Sequence, residues 1–527
     1  MRDHPSPSTN PAIIFLILAI LLGGYIRLSQ VVASAFPLND GGLFYAMTRD
    51  LQENQYRLPE STSYNQLNLP FAYPPLPFYL AGGLNDWMGW ELIDIFRILP
   101  AIFSVLCIPA FFVLAQNLIK NPVHIGVATL IFALLPTTFD WLIMGGGLTR
   151  APAIFFALLT LQRIHSLYTR DTKTDILWTA LLASVTILCH PETALHTAIS
   201  ALVFFLFFGR RKTGVVNSVV VAGLVLLLTA CWWLPNLARH GLEPYLAASR
   251  TGWHSLQALV QLFRFNITNE YGLATIGVLA LVGFFWQIAR RQFFLPVWLL
   301  VIFFSEPRSA PLYLTPLIAL LASDCLLNIL TSFPSSGQTS NLPEEPRIPL
   351  TSPAAKGLFG LLFAQWTLSA LVIPLILAGT KTLSTADQSA FAWIGANTPE
   401  DSRFLVLTGD DPLSDPTSEW FPALTGRSSV ATVQGYEWDG NHKFEEIKDR
   451  GRKIQNCIQQ TPACIQDWER EYHLEFEYIY LRKLVPASSW SLAPQPSGLE
   501  ALLVNGAQTI PVYHSAEVTI LQLASSK

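Results

Sequence analysis

Leu38-Asn39-Asp40-Gly41-Gly42-Leu43-Phe44-Tyr45-Ala46 follows closely on the first apolar run of the chain, Pro11 to Ile26. Asn-Asp-Gly-Gly is good turn chemistry, so Asp40 taken alone reads as a turn or helix-cap residue. Its position alters that reading. A carboxylate followed by two glycines, and then by the apolar Tyr73-Pro74-Pro75-Leu76-Pro77, does not suit a lipid-facing segment. It suits a reactive group held at a membrane surface, at the head of a long outer loop.

The composition agrees with a membrane protein. Of 527 residues, 51% are hydrophobic and 13% charged, against about 25% charged in soluble domains. The apolar residues fall in long runs, which makes the chain a polytopic membrane protein. The net charge of −4 says nothing about nucleic acid, and no basic stripe suggests it. Cys107, Cys189, Cys231 and Cys325 lie in apolar runs and read as packing residues. Cys457 and Cys464 lie in the polar C-terminal region, where they have the spacing for a small disulfide loop in an oxidising compartment. Arg2, the first apolar run and Ala33-Ser34-Ala35 resemble a signal peptide with its cleavage site. We read a retained anchor, because cleavage there leaves Asp40 almost at a free terminus.

Apolar length and polar interruptions predict about eleven spans: 12–29, 95–119, 122–139, 151–168, 175–190, 193–209, 214–234, 271–289, 293–305, 309–331 and 357–380. Residues 73–90 are broken by proline and glycine and read as a surface or re-entrant helix. With a cytoplasmic N-terminus, every short inner loop carries a basic residue: Lys120, Arg170 and Lys173, Arg210-Arg211-Lys212, Arg290-Arg291, and the Ser/Pro-rich 332–355 segment with Arg347. A crossing at 73–90 would place two of these loops outside. The expected fold is mainly α, a transmembrane helical bundle over 1–381 with a first outer loop at 30–94. A soluble extracytoplasmic α/β domain follows over 382–527, with strands at 404–407, 478–481 and 518–521 and helices at 386–396 and 442–472.

The predicted outer side collects Asp40, Asp140, Arg150, His190, Glu192, Arg239, His240, Glu306 and Arg308. Ionisable groups at membrane depth cost about 2.5–3.5 kcal/mol each, so they mark functional sites. At span ends snorkelling lowers that cost, and Arg239 and His240 also read as plain interfacial residues. Gly145-Gly146-Gly147-Leu148-Thr149-Arg150 opens a span and reads either as a flexible loop with a snorkelling arginine or as an anion site. Glycines admit a ligand to backbone N–H groups at a helix N-terminus, and Arg150 adds charge-assisted bonds to phosphate. His190-Pro191-Glu192 joins two spans with almost no loop. It suits a structural turn, or contacts to a phosphate, a sugar or a metal. Ser305-Glu306-Pro307-Arg308 interrupts an apolar stretch, as an internally paired turn or as a lipid-phosphate contact.

These residues resemble the GT-C superfamily of membrane glycosyltransferases, which use sugars carried on polyprenyl phosphates. Asn39-Asp40 stands where that family places an essential acidic residue after its first helix. Tyr73-Pro74-Pro75-Leu76 is similar to the Pro-Pro-Leu segment in that loop of its lipid A and protein-mannosyl branches, and Arg97-Ile98-Leu99-Pro100 resembles the Arg-Leu-Pro start of the helix that follows. Gly145–Arg150, His190-Pro191-Glu192, Trp393-Ile394 with Asn397-Thr398-Pro399, and Glu419-Trp420-Phe421-Pro422 with Gly426-Arg427 resemble bacterial members of the superfamily. The Trp-Trp-Asp signature of oligosaccharyltransferases is absent, since Leu234-Pro235 follows Trp232-Trp233. The 140–150 loop lacks their paired acidic, metal-holding motif.

The resemblance implies a glycosyltransferase of the plasma membrane that moves a hexosyl or pentosyl group, with inversion, from a polyprenyl-phosphate or diphosphate sugar to a glycan, lipid or protein acceptor hydroxyl. Asp40 is expected to be the catalytic base, Arg308 and Arg150 to bind the donor phosphate, and Glu306, His190, Glu192, Tyr45 and Arg239 to contact substrate. No cofactor is certain and a divalent cation stays open. Two other classes compete. A transporter or flippase for lipid-linked or polar substrates predicts midplane charges and internal repeats, neither of which is visible. A non-catalytic assembly or sensor protein would use the C-terminal domain for binding.

Overall fold

Asn10 accepts the Ala12 N–H and Pro11 occupies the first turn, so the apolar run starts helix α1, Pro11–Ala33, as cap chemistry favours. The computed structural model describes residues 10–170, 172–251, 267–333, 352–440, 444–485, 495–504 and 509–524. Arg2, the Ser/Pro-rich segment with Arg347, residues 442–443 and the middle of the 235–270 outer loop lie outside the described residues.

Each of the predicted stretches carries a helix. After α1 come two helices of the outer loop, α2 (Gly42–Glu53) and α3 (Leu76–Met88). The bundle continues with α4 (Leu92–Leu118), α5 (Pro122–Leu134), α6 (Gly147–Arg170), α7 (Lys173–Cys189), α8 (Pro191–Phe208) and α9 (Lys212–His240). Beyond these lie Thr275–Ala289, Phe294–Ser305, Thr315–Ser332 and Pro353–Thr380. Among the described residues six helices, α1, α4, α8, α9, Thr315–Ser332 and Pro353–Thr380, are long and apolar enough to cross a bilayer. Three more are apolar but shorter, while α6 carries Arg150, Arg163, His165 and Arg170 and α7 carries Lys173 and Asp175.

Two boundaries differ from expectation. The 122–139 stretch stops as α-helix at Leu134, because Leu135 turns extended ahead of Pro136. The 309–331 stretch begins with a separate short helix, Ala310–Tyr313. Helix α3 has 13 residues, about 20 Å at 1.5 Å per residue, against a core of about 30 Å. It ends at Gly89 in left-handed conformation, with Trp87 81% exposed and Trp90 exposed. That is the character of a helix lying on an interface.

Helix α1 packs against α4 and α5, and α4 against α6. A fully buried Arg27 fastens three elements: it donates to Ser104 Oγ of α4, to the Ala133 carbonyl of α5, to Thr138 Oγ1 and to its own Gly23 carbonyl, and lies over the Phe139 ring. At the C-terminal cap of α1, Arg97 of α4 donates to the Ser34 carbonyl and pairs with Asp94.

The C-terminal region holds a mixed five-stranded sheet in the order Ser428–Ser429, Arg403–Leu407, Tyr478–Arg482, Val518–Leu523, Thr509–His514. The first two pairings are parallel and the last two antiparallel. Alternation gives the sheet two buried faces. Leu405, Leu407, Ile479 and Leu481 pack on Ile454, Ile458, Ile465 and Trp468. Phe404, Val406, Tyr478 and Tyr480 join Phe391, Trp420 and Phe421 in a core that also takes Met47, Leu51, Phe71 and Phe78 of the outer loop. The first outer loop and the C-terminal region therefore share one apolar core. The 442–472 helical stretch is two helices, Phe444–Asn456 and Pro462–Tyr472, broken before Pro462, and Cys457 is bonded to Cys464 across the break.

Candidate active site

The turn that carries Asp40 uses two left-handed residues, Asn39 (φ 54°) and Gly41 (φ 131°). Asparagine and glycine are the types that tolerate such angles. The turn is held along its backbone: Asn39 N–H donates to the Lys381 carbonyl, and Gly145 N–H donates to the Leu38 carbonyl at 2.8 Å.

This places the Asp40 carboxylate, 15% exposed at its side chain, over the start of α6. Oδ1 accepts the Gly146 N–H at 3.0 Å and Oδ2 accepts Arg150 Nη2 at 2.6 Å. The Gly145-Gly146-Gly147 run is there for close approach. A Cβ on Gly145 would stand 2.1 Å from the Asp40 carbonyl oxygen, and one on Gly146 2.4 Å from Asp40 Oδ2. Arg150 also donates weakly to the Trp141 carbonyl and lies over the Trp141 ring. Nearby Asp140, buried, is held by Asn269 and the Trp141 N–H, and burial raises its carboxyl to about 6.

The C-terminal region closes the other side of the turn. Glu419 Oε1, on the Pro416–Thr425 helix, accepts the Gly41 N–H at 2.8 Å, and Trp420 Nε1 donates to the Asn39 carbonyl at 3.0 Å. Tyr64 donates to the Glu419 carbonyl. Glu419 is 7% exposed. Burial first, and then the charge of Asp40, push its carboxyl up to about 8 against the opposing Gly41 N–H and Arg150.

A second cluster lies where α7 meets α8. His190 caps α8, its Nδ1 accepting the Thr193 N–H at 3.2 Å. Thr193 Oγ1 bridges His190 Nδ1 (3.1 Å) and the Tyr313 hydroxyl (3.0 Å), which stands 3.5 Å from Glu192. His196 stacks on Tyr313 at 3.9 Å, and its Nε2 lies 3.2 Å from Ser309 Oγ and 3.9 Å from Glu306. Glu306 also takes the Ser309 N–H. Arg308 donates to the Thr251 carbonyl, and its charge bears on the half-buried Glu437, whose carboxyl is raised by desolvation.

Tyr73 links the two clusters. Its hydroxyl lies 3.2 Å from Thr149 Oγ1 at the start of α6, and its ring lies edge-on to His190 at 6.1 Å. A continuous run of contacts thus leads from Asp40 and Arg150 through Tyr73 to His190, Glu192 and Glu306. Two more of the predicted residues have their contacts in the loop that carries Asp40 and around it. Arg239 braces the outer loop by donating to the Leu58 and Pro59 carbonyls, and Tyr45 packs edge-on against Phe96 and Trp420. Sequence reasoning did not single out Tyr73, His196, Tyr313, Glu419 or Glu437 as site residues. Two carried signals: His196 follows Glu192 by four residues on one helix face, and Glu419 is an acid set among Trp420, Phe421 and Pro422. Among the described residues no group of three or more His, Cys, Asp or Glu side chains gathers to hold a metal ion.

An apolar groove of about 590 Å³ runs between α6, α7, α8 and α9, lined by residues such as Ile164, Tyr168, Ala198, Ala222 and Leu226. One end is formed by Thr186, Ile187 and Ala194, which flank the His190–Glu192 turn. Helix α9 closes it on one side and leaves Val216, Val219, Leu226 and Leu227 exposed.

This architecture is found in solved membrane glycosyltransferases. The archaeal oligosaccharyltransferase AglB from Archaeoglobus fulgidus, in complex with an inhibitory peptide and a dolichol-phosphate, superposes with a TM-score of 0.59 at 12% identity, over 89% of this chain and 69% of that one. ArnT from Cupriavidus metallidurans superposes at 0.55 and 11% identity over 98% of both chains. The arabinofuranosyltransferase AftD from Mycobacteria superposes at 0.54 and 16% identity, over 97% of this chain and 40% of that one. The fold is therefore of the GT-C type, as the sequence led us to expect. In sequence, the chain belongs to the family described as 6-pyruvoyl-tetrahydropterin synthase related domain, membrane protein, whose model matches residues 71–339. No curated protein matches the chain significantly in sequence.

Proposed function

We propose that this protein is a membrane glycosyltransferase that moves a sugar from a polyprenyl-phosphate or diphosphate donor to an acceptor hydroxyl on the extracytoplasmic side. The observation that carries the reading is the Asp40 carboxylate, fixed by Arg150 and the Gly146 N–H, with an apolar groove ending beside the polar run that starts there. The donor's isoprenoid tail occupies the groove and its phosphate lies at the groove's end, within reach of Arg150 and Arg308. The groove is apolar along its length, which suits a lipid tail and not the passage of a polar solute.

Asp40 orients the acceptor hydroxyl and takes its proton as the oxygen attacks the anomeric carbon. The bond from that carbon to the phosphate oxygen breaks, and the lipid phosphate leaves as an anion. Arg150 and Arg308 meet the charge developing on it, which is where fixed cations contribute most. His190, Glu192 and Glu306 line the sugar side. The bonded Cys457 and Cys464 support an oxidising, extracytoplasmic location for the C-terminal region, on the side opposite the basic loops.

The test is radiolabelled-sugar transfer from polyprenyl-phosphate donors in membranes carrying the wild type or Asp40→Asn. Transfer is expected to vanish in the variant while expression and membrane insertion hold. Full activity in Asp40→Asn removes Asp40 from the mechanism.

A further inference from the structure

A turn with two left-handed residues is not self-supporting; it persists where its surroundings over-determine it. Here much of the determination comes from a distant part of the chain. The Gly41 N–H and the Asn39 carbonyl, on either side of Asp40, both bond to neighbouring residues of the Pro416–Thr425 helix. The fit is close: a Cβ on Gly41 would stand 2.9 Å from the Trp420 ring, and one on Gly42 2.4 Å from the Glu419 carbonyl oxygen.

We propose that Glu419 is a positioning residue of this site: through the Gly41 N–H it fixes the Asn39–Gly41 turn, and so keeps the Asp40 carboxylate on Arg150 and Gly146. The C-terminal region thereby completes a site whose reacting groups belong to the helical bundle. The inference rests on the reading of Asp40 as the base.

The groups facing Glu419 are Asp40 from the outer loop, Arg150 from α6, Glu437 from the Tyr436–Trp438 turn, and Tyr64, whose hydroxyl bonds the Glu419 carbonyl. The one cation among them is already paired with Asp40. With its carboxyl raised to about 8 by burial and by Asp40, Glu419 is neutral at pH 7 and leaves Arg150 to Asp40. Once ionised, it repels Asp40 and competes for Arg150. The Gly41 N–H bond survives that ionisation, but the Asp40–Arg150 pair is weakened above that pH.

Full-length wild type, Glu419→Gln and Glu419→Ala are compared in lipid nanodiscs by hydrogen exchange over residues 36–48 and by sugar transfer between pH 6 and 10. Glu419→Ala is expected to speed exchange in that segment at least about tenfold and to lower kcat by a similar factor with KM for the donor little changed. Glu419→Gln keeps the acceptor oxygen and cannot ionise. It restores slow exchange and turnover, and holds its turnover above pH 8, where the wild type falls by about tenfold per pH unit. Exchange in the five-stranded sheet reports whether each variant is folded. Unchanged exchange over 36–48 in a folded Glu419→Ala overturns the proposal, as does an alkaline fall in Glu419→Gln that matches the wild type. Should Glu419→Ala fail to fold, the alkaline limb of Glu419→Gln decides. If the wild type transfers no sugar while Glu419→Ala loosens the turn and Glu419→Gln restores it, the positioning role stands and the reaction assigned to the site is wrong.

Discussion

A carboxylate gripped by a guanidinium on one oxygen and a backbone N–H on the other has little freedom to turn away from an approaching hydroxyl. Asp40 is gripped in this way, and the grip requires the absence of a side chain at Gly146. We therefore expect Gly146→Ala to drive the carboxylate off its place, since the added carbon would stand 2.4 Å from Oδ2. A displacement of about 1 Å costs about 100-fold in rate. Transfer kinetics on the inserted, folded variant provide the check, and a rate within a few-fold of wild type would show that the Gly146 contact is incidental.

At the scale of elements, the groove between α6 and α9 is shaped by small residues on facing helices. Ala198 of α8 and Ala222 of α9 both line it. Ala198→Trp or Ala222→Trp would fill part of its 590 Å³ without touching the polar run that begins at Asp40. The expected result is a KM raised about tenfold for a long-chain polyprenyl donor and unchanged for an analogue with a one- or two-isoprene tail. Equal effects on both donors would mean that the tail lies elsewhere. Loss of about 1–2 kcal/mol of tail contact corresponds to that tenfold change. Arg27 shows the same economy in packing, one side chain tying α1 to α4, α5 and the Thr138 turn.

At the scale of the whole molecule, the outer loop and C-terminal region are bound by a common core and by one buried acid. The pH dependence of stability follows from that acid. Glu419 holds its proton to about pH 8 in the folded chain but releases it near 4.5 when exposed. A raised carboxyl stabilises the fold fully below the lower value, and this contribution is lost as pH rises through the upper one. We expect the melting temperature of the purified protein to fall between pH 6 and 9, and Glu419→Gln to flatten that fall. A wild-type profile that Glu419→Gln leaves unaltered would place the pH dependence on other groups, such as Glu437 or Asp140.

The helices were legible in the sequence because apolar length, proline and cap residues act within a few residues of one another. The Asn10-Pro11 start of α1, the short α3 and the alternation of Phe404 to Leu407 needed nothing distant. The place of Asp40 right after the first run was legible too, and it led us to expect a role for that residue. Its partners were not. Gly146 and Arg150 lie 106 and 110 residues downstream and Glu419 lies 378 residues from Gly41. No local pattern records which polar groups will meet when the chain folds back. For the same reason the contacts of Arg239 with the Leu58 and Pro59 carbonyls, and of Tyr45 with Phe96 and Trp420, were not legible. The sequence by itself determined a membrane bundle with an acid in a glycine turn after its first helix and a small α/β region after it. The tertiary structure decided which arginine pairs with that acid and that a second, buried carboxyl holds its turn. Burying apolar surface depends on composition along the chain, whereas the direction and charge of a hydrogen-bonded group are satisfied only by a partner brought to it in space.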